Sequence, residues 1–343
     1  DDRMPYNSVY LPEGLHPARL PDLSALRAAL EDKTILETTV LRCDARRTLH
    51  LALAGGEVLL PPEEAVAPWI SGAGRDIALL SLVGKPIAFR VTALDADGRG
   101  APQVRVSRRI LQEEAKEHLL SLRPGSVLWA RVTHLAAFGA FCDIGCGVIA
   151  LLPLERLSMA RVRHPAERLA VGQKLPVLLS GINPAVPRFT LSCRELLGTW
   201  LENASRFAPG DTVPGVVRSV QDYGIFVELT PNLSGLAPPR DGIAPGDRIS
   251  VTLRSIRPER MKIKLQIVGK LPPRDGPEPL RFILTDGVLP RWRYSPPDYE
   301  RPPVETVFFD APEPPPEEPP ALRGWQAESE EDSAGKFIEF QPQ

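Results

Sequence analysis

The chain has 343 residues, 43% of them apolar, enough for two or three separate cores. No apolar run nears the ~20 residues of a membrane span, which excludes a helical membrane protein, and four scattered cysteines (Cys43, Cys142, Cys146, Cys193) exclude a disulfide scaffold. The formal net charge of −2 hides an asymmetry: residues 34–270 hold 30 Lys/Arg against 22 Asp/Glu, and residues 271–343 hold 7 against 15. A basic body suits a polyanion partner, with the acidic tail as a competitor for the same surface.

Residues 1–33 read as an irregular arm followed by a short helix. In the helix, Asp22 is placed to cap, and Leu23, Leu26 and Leu30 share one face. The opening Asp1-Asp2-Arg3 lacks a secretory leader pattern, so the expected location is the cytoplasm. From Thr34 the pattern becomes short apolar runs punctuated by Gly and Asp, the mark of β-strands and turns. Helices are expected over 108–122 and 193–207, with Ser107 and Ser192 as their caps. After Lys270 there are 16 prolines in 73 residues. Within that stretch Asp286-Gly287, flanked by Phe282–Thr285 and Val288-Leu289, predicts a hairpin. Trp292, Tyr294, Tyr299, Phe308 and Phe309 predict that 271–309 docks on a barrel, while 310–343 reads as an acidic Pro/Glu-rich tail, in part disordered.

The chain repeats itself. Phe138-Gly139-Ala140-Phe141-Cys142-Asp143-Ile144 returns 85 residues later as Tyr223-Gly224-Ile225-Phe226-Val227-Glu228-Leu229. Strand alternation would turn Ala140, Cys142 and Ile144 inward, and Ile225, Val227 and Leu229 likewise. Phe141, Asp143, Phe226 and Glu228 would then face solvent, and an aromatic kept twice on a wet strand suggests a flat ligand. Pro124-Gly125 pairs with Pro209-Gly210 at the same offset, and the closing strands Arg188–Leu191 and Lys262–Leu265 match at 74. A third, divergent copy precedes these. Leu49, Leu51 and Leu53 fill its inward positions, and Arg47 and His50 stand where Phe138 and Phe141 stand. Each copy has the length of a small five-stranded barrel.

The Phe/Tyr-Gly-x-Phe-x-Asp/Glu stretch, the Gly-Gln/Asp-Lys/Arg turn and the Leu-Ser closing strand together resemble the S1 RNA-binding domain, an OB-fold family named for ribosomal protein S1. The resemblance implies an all-β chain of three tandem five-stranded OB-fold (S1-type) barrels joined by short helices. Its modules are 34–110, degenerate, then 123–197 and 208–270. It also implies single-stranded RNA, mRNA or rRNA, as the partner, a link to the ribosome, and RNA-facing roles for Phe138, Phe141, Tyr223 and Phe226. In one place the pattern departs: Pro153 and Pro238 stand where many S1 domains carry a histidine, which removes one ligand contact.

Basic residues supply the second element of such a site. Arg131 shares the outward face of its strand with Trp129, and Arg156, Arg161, Arg163 and His164 cluster with Arg168 in the following loop. Arg188, Lys262 and Lys264 lie on the closing strands. Cys142 and Cys146 lack the second pair a zinc site needs and read as a core thiol and a turn residue. The five histidines show no catalytic spacing, and no nucleophile-elbow or phosphate-loop motif is present, so neither an enzyme nor a cofactor is expected. The other reading is a protein-interaction scaffold built on barrels that have lost most RNA affinity.

Overall fold

The computed structural model of the protein describes residues 9–16, 20–70, 75–95 and 103–311. The acidic tail expected over 310–343 therefore lies almost wholly outside the described residues.

Helix α1 (Leu23–Asp32) begins where Asp22 accepts the Ala25 N–H and ends at Lys33 in the left-handed region. Leu26 and Ala29 are its buried residues and Leu30 packs beside them, whereas Leu23 is 43% exposed. The buried stripe is thus rotated from the expected Leu23–Leu26–Leu30 face.

Five strands follow: β1 (Leu36–Cys43), β2 (Leu49–Leu53), β3 (Gly56–Leu60), β4 (Pro86–Asp95) and β5 (Gln103–Ser107). Short helices α2 (Pro62–Ala65) and α3 (Arg75–Leu80) sit between β3 and β4. The sheet order is β3-β2-β1-β4-β5, a barrel with an open edge pair. Leu49 and Leu51 point into its core with Val40, Phe89 and Leu26, while Leu53 is half-buried.

Helix α4 (Arg109–Ser121) leads to the middle barrel, and the Ser107 hydroxyl accepts the Ile110 N–H at its start. The barrel comprises β6 (Val127–Ala136), β7 (Gly139–Asp143), β8 (Ile149–Pro153), β9 (Lys174–Asn183) and β10 (Arg188–Ser192), closed in the order β10-β8-β7-β6-β9. The second expected helix, over 193–207, is broken. Arg194–Leu197 form a 3-10 turn, Gly198 takes φ +87°, and α5 (Trp200–Ala204) restarts with a Thr199/Glu202 capping box. A left-handed glycine followed by a strong N-cap ends one helical turn and begins another.

The last barrel is β11 (Thr212–Gln221), β12 (Gly224–Thr230), β13 (Leu233–Ala237), β14 (Arg248–Arg257) and β15 (Lys262–Lys270), again closed and in the same order. Ile225 and Val227 are fully buried, but a register shift between Glu228 and Thr230 leaves Leu229 only half-buried. The hairpin expected around Asp286-Gly287 does not form. Gly287 O accepts the Val127 N–H, the Leu289 N–H goes to Gly125 O, and Val288 makes a lone bridge to Ser126. Two strands do pair farther on, β16 (Arg291–Arg293) with β17 (Glu305–Val307).

The chain divides into two compact units. Of the described residues, one unit holds the first two barrels (those up to 154, 164–193 and 285–289), and the other holds the last barrel with 155–163, 194–284 and 290–311. In the second unit Trp292 and Tyr294 are buried, the Tyr294 hydroxyl donates to Asn232 O at 2.6 Å, and the Trp200 N–H donates to Tyr294 O. No described helix is long and apolar enough to cross a membrane.

Candidate nucleic-acid interface

The repeated aromatic stretch forms a tight turn and the second strand of its barrel. In the middle barrel Ala136 pairs with Gly139, so Ala137-Phe138 is a two-residue turn whose ring stands 59% exposed. Phe138 O accepts the Leu154 N–H at 2.9 Å, which ties the turn to the end of β8. An added Cβ at Gly139 would collide with the Leu152 carbonyl, and so only glycine lets β7 approach β8 this closely. Phe141 then sits edge-on to Phe138, with centroids 5.9 Å apart, and its other neighbour is His134 at 6.1 Å.

The register extends this contact into a row. His134 lies opposite Phe141, Phe141 opposite Leu151, and Leu151 beside Thr190 on β10. The last barrel repeats the row with Ser219, Phe226, Leu236 and Lys264, and Tyr223 in the turn is 38% exposed and edge-on to Phe226 at 6.2 Å. Four strands at about 4.8 Å spacing give each row a width of about 14 Å. Lys262 and Lys264 are exposed on β15, and Arg188 is exposed two residues before Thr190 on β10. His134 escaped the sequence reading; only the two-residue turn, which fixes the β6–β7 register, places it opposite Phe141.

The first barrel keeps the row but changes its character. Arg42 lies opposite His50, and His50 opposite Leu59. His50 is buried between two acids, with Nδ1 2.7 Å from Glu57 and Nε2 3.4 Å from Asp44. The bond from His50 holds the Glu57 carboxyl below its ordinary range, and the Thr48 N–H does the same for Asp44. Arg47, at φ +66°, forms an ion pair with Asp76. The polar groups of this face are thus satisfied internally.

The acids expected on the wet face are not there. Glu228 is buried, and the Arg218 Nε donates to it at 2.6 Å. Asp143 is 2% exposed, covered by residues 10–16 and by Arg108 from the first barrel. It accepts N–H bonds from Glu13, Gly145 and Gly147. Burial, then the charge of Glu13, pushes its carboxyl up to about 7, against the pull of Arg108. Arg131 belongs to the same end of the strand pair, opposite Asp143, and its Nη1 donates to Glu13 O at 3.0 Å. Its head group therefore fastens the arm.

The loop cations differ in exposure, and Arg156 is half-buried. Arg161 and Arg163 are exposed, with Arg163 Nη2 3.4 Å from Pro245 O. The His164 Nδ1 accepts the Ala166 N–H, and Arg168 is buried. Cys142 and Cys146 are both buried, which pushes the Cys142 thiol up to about 12 and Cys146 higher still. Among the described residues no cluster of His, Cys, Asp and Glu could hold a metal.

Residues 121–194, which hold the closed middle barrel, match the family described as S1 RNA binding domain. Residues 121–194 are an S1 domain. The chain is also similar to the small ribosomal subunit protein bS1 of Staphylococcus aureus strain N315, 32% identical over 209 residues, which are 56% of this chain and 52% of that protein. Against bS1 of Staphylococcus epidermidis the identity is 30% over 203 residues, 55% of this chain and 52% of that protein. The chain spans about half the length of these relatives. A multidomain protein with nucleic acid binding domains from Streptococcus pneumoniae aligns over 68% of this chain and 73% of its own, at 16% identity and a TM-score of 0.23. The S1 domain thus coincides with the barrel that carries the His134–Thr190 row.

Proposed function

We propose that the chain binds single-stranded RNA through the rows on its middle and last barrels and acts in translation or RNA metabolism. The observation that carries this reading is the row itself, in which exposed Phe138 and Tyr223 stand edge-on to Phe141 and Phe226. Bases stack on such rings for about 1–3 kcal/mol each without sequence preference. Lys264 stands at the end of the last row with Lys262 two residues before it, and Arg188 holds the matching position in the middle barrel. There they would meet phosphates, giving affinity that falls with salt. With its polar groups engaged internally, the first barrel serves as a supporting module. The S1 domain and the likeness to bS1 support a cytoplasmic, ribosome-linked, non-enzymatic role.

The test is fluorescence anisotropy of a labelled single-stranded RNA across salt concentrations. Phe141→Ala plus Phe226→Ala should weaken binding at least five-fold, taking about 1 kcal/mol as the least that stacking supplies. Unchanged affinity would end the stacking reading. Absence of RNA binding at low salt, with a nuclease-resistant protein partner recovered instead, would favour the scaffold.

A further inference from the structure

We infer that the segment following the last barrel adds a further nucleotide subsite to it, an inference that rests on the RNA-binding reading above. Tyr299, Glu300 and Arg301 border a cleft of about 130 Å³ together with Glu259, Arg260 and Lys262. Residues two apart on a strand share a face. Lys262 therefore lies on the face of β15 that carries Lys264, the last member of the row with Leu236 and Phe226, and borders the cleft about 7 Å along the strand. An aromatic ring and three cations gathered beside the end of that row repeat its chemistry.

The segment is held firmly enough to present a surface. The Glu300 N–H donates to Glu259 O at 2.9 Å, and the Tyr299 N–H to Pro296 O at 3.2 Å. Ser295 and Pro296 are buried, and the Tyr294 N–H donates to Val304 O at 2.8 Å. Two acids also line the cleft, but Glu300 is engaged by Arg260, whose Nε lies 3.2 Å from it. Both side chains of that pair are about half exposed (51% and 52%). A surface pair of this kind contributes little, so an incoming phosphate can take over the guanidinium. The ligand that fits is one nucleotide of single-stranded RNA, its base against Tyr299 and its phosphate among Arg260, Lys262 and Arg301.

The experiment uses the full chain and a labelled single-stranded RNA of about twelve nucleotides, within the range one OB-fold covers. Tyr299→Ala should weaken binding about five-fold or more, and Tyr299→Phe should bind as the parent does. Arg301→Glu, at an exposed position, should weaken binding and flatten the salt dependence by about one phosphate contact. If Tyr299→Ala melts early, Arg301→Glu decides alone. The inference is overturned if both variants bind like the parent while Phe226→Ala weakens binding. If Phe226→Ala with Phe141→Ala is also silent, the reading of the aromatic rows as the RNA surface fails with it.

Discussion

Replacing Arg108 by methionine would leave Glu13 and Asp143 buried together without the cation that pairs with the Glu13 carboxylate. Arg108 is 4% exposed, and its Nε and Nη2 donate to Glu13 at 2.6 and 2.7 Å. Its Nη1 donates to Ala65 O at 3.0 Å. Glu13 in turn accepts the Ala88 N–H at 3.1 Å and donates its own N–H to Asp143 at 2.8 Å. Losing one partner of such a buried pair costs about 3–5 kcal/mol. For a unit of this size that is a fall of about 6–20 °C in its melting transition. The sign of the pH dependence follows from Asp143, whose folded-state carboxyl is raised to about 7 by burial and by Glu13. A raised carboxyl contributes stability that is fully present below its unfolded pKa and lost as pH rises through the folded one. Without Arg108 the carboxyl rises further, so the deficit of Arg108→Met should be small near about pH 5 and grow toward about pH 8. Scanning calorimetry at both pH values measures it. A deficit below about 1 kcal/mol at the higher pH, or one that does not shrink on acidification, refutes the idea that Arg108 offsets the negative charge buried here.

Other outcomes follow from separate features. Asn232→Ala removes a fully buried amide that bonds Arg194 O, Gly198 O and the Met159 N–H. At about 1 kcal/mol per bond it should cost about 3 kcal/mol in urea unfolding of the last unit. A loss under about 1 kcal/mol would contradict that count. Thiol labelling of the native protein should modify Cys43 first, because Cys142, Cys146 and Cys193 are buried and Cys43 is only half-buried. Peptide mapping after a short pulse reads this, and equal labelling of Cys142 would refute it.

Much of the fold was legible because the repeat is a repeat of physics. Ala140, Cys142, Ile225 and Val227 alternate with polar or aromatic neighbours, and all four are buried as strand alternation requires. Asp143 and Glu228 went wrong for a tertiary reason. Alternation gives the side of a sheet a residue faces, but not what comes to lie on that side, and Glu13, 130 residues from Asp143 in sequence, left no local signal. The second connecting helix failed at Gly198, whose left-handed φ ends the first helical turn. Asp286-Gly287 signalled a hairpin, yet its flanks found better partners in Gly125, Ser126 and Val127. Of the candidate site, the aromatics could be read from spacing alone. Arg131 could not, since its side chain is claimed by an arm that has no periodicity of its own.

The two closed barrels are closed by little. Each has a single parallel residue pair at its seam, Thr190 with Leu151 and Leu236 with Lys264. Local opening follows the least-bonded line of a structure, so amide exchange should be fastest along these seams within each barrel. Both pairs are also members of the aromatic rows. An RNA strand laid across a row would bridge the seam from outside and, by binding only the closed form, slow its opening. The barrel's weakest line and its proposed ligand-facing row then cross at one residue pair, and occupancy would be readable as protection at Leu151 and Leu236.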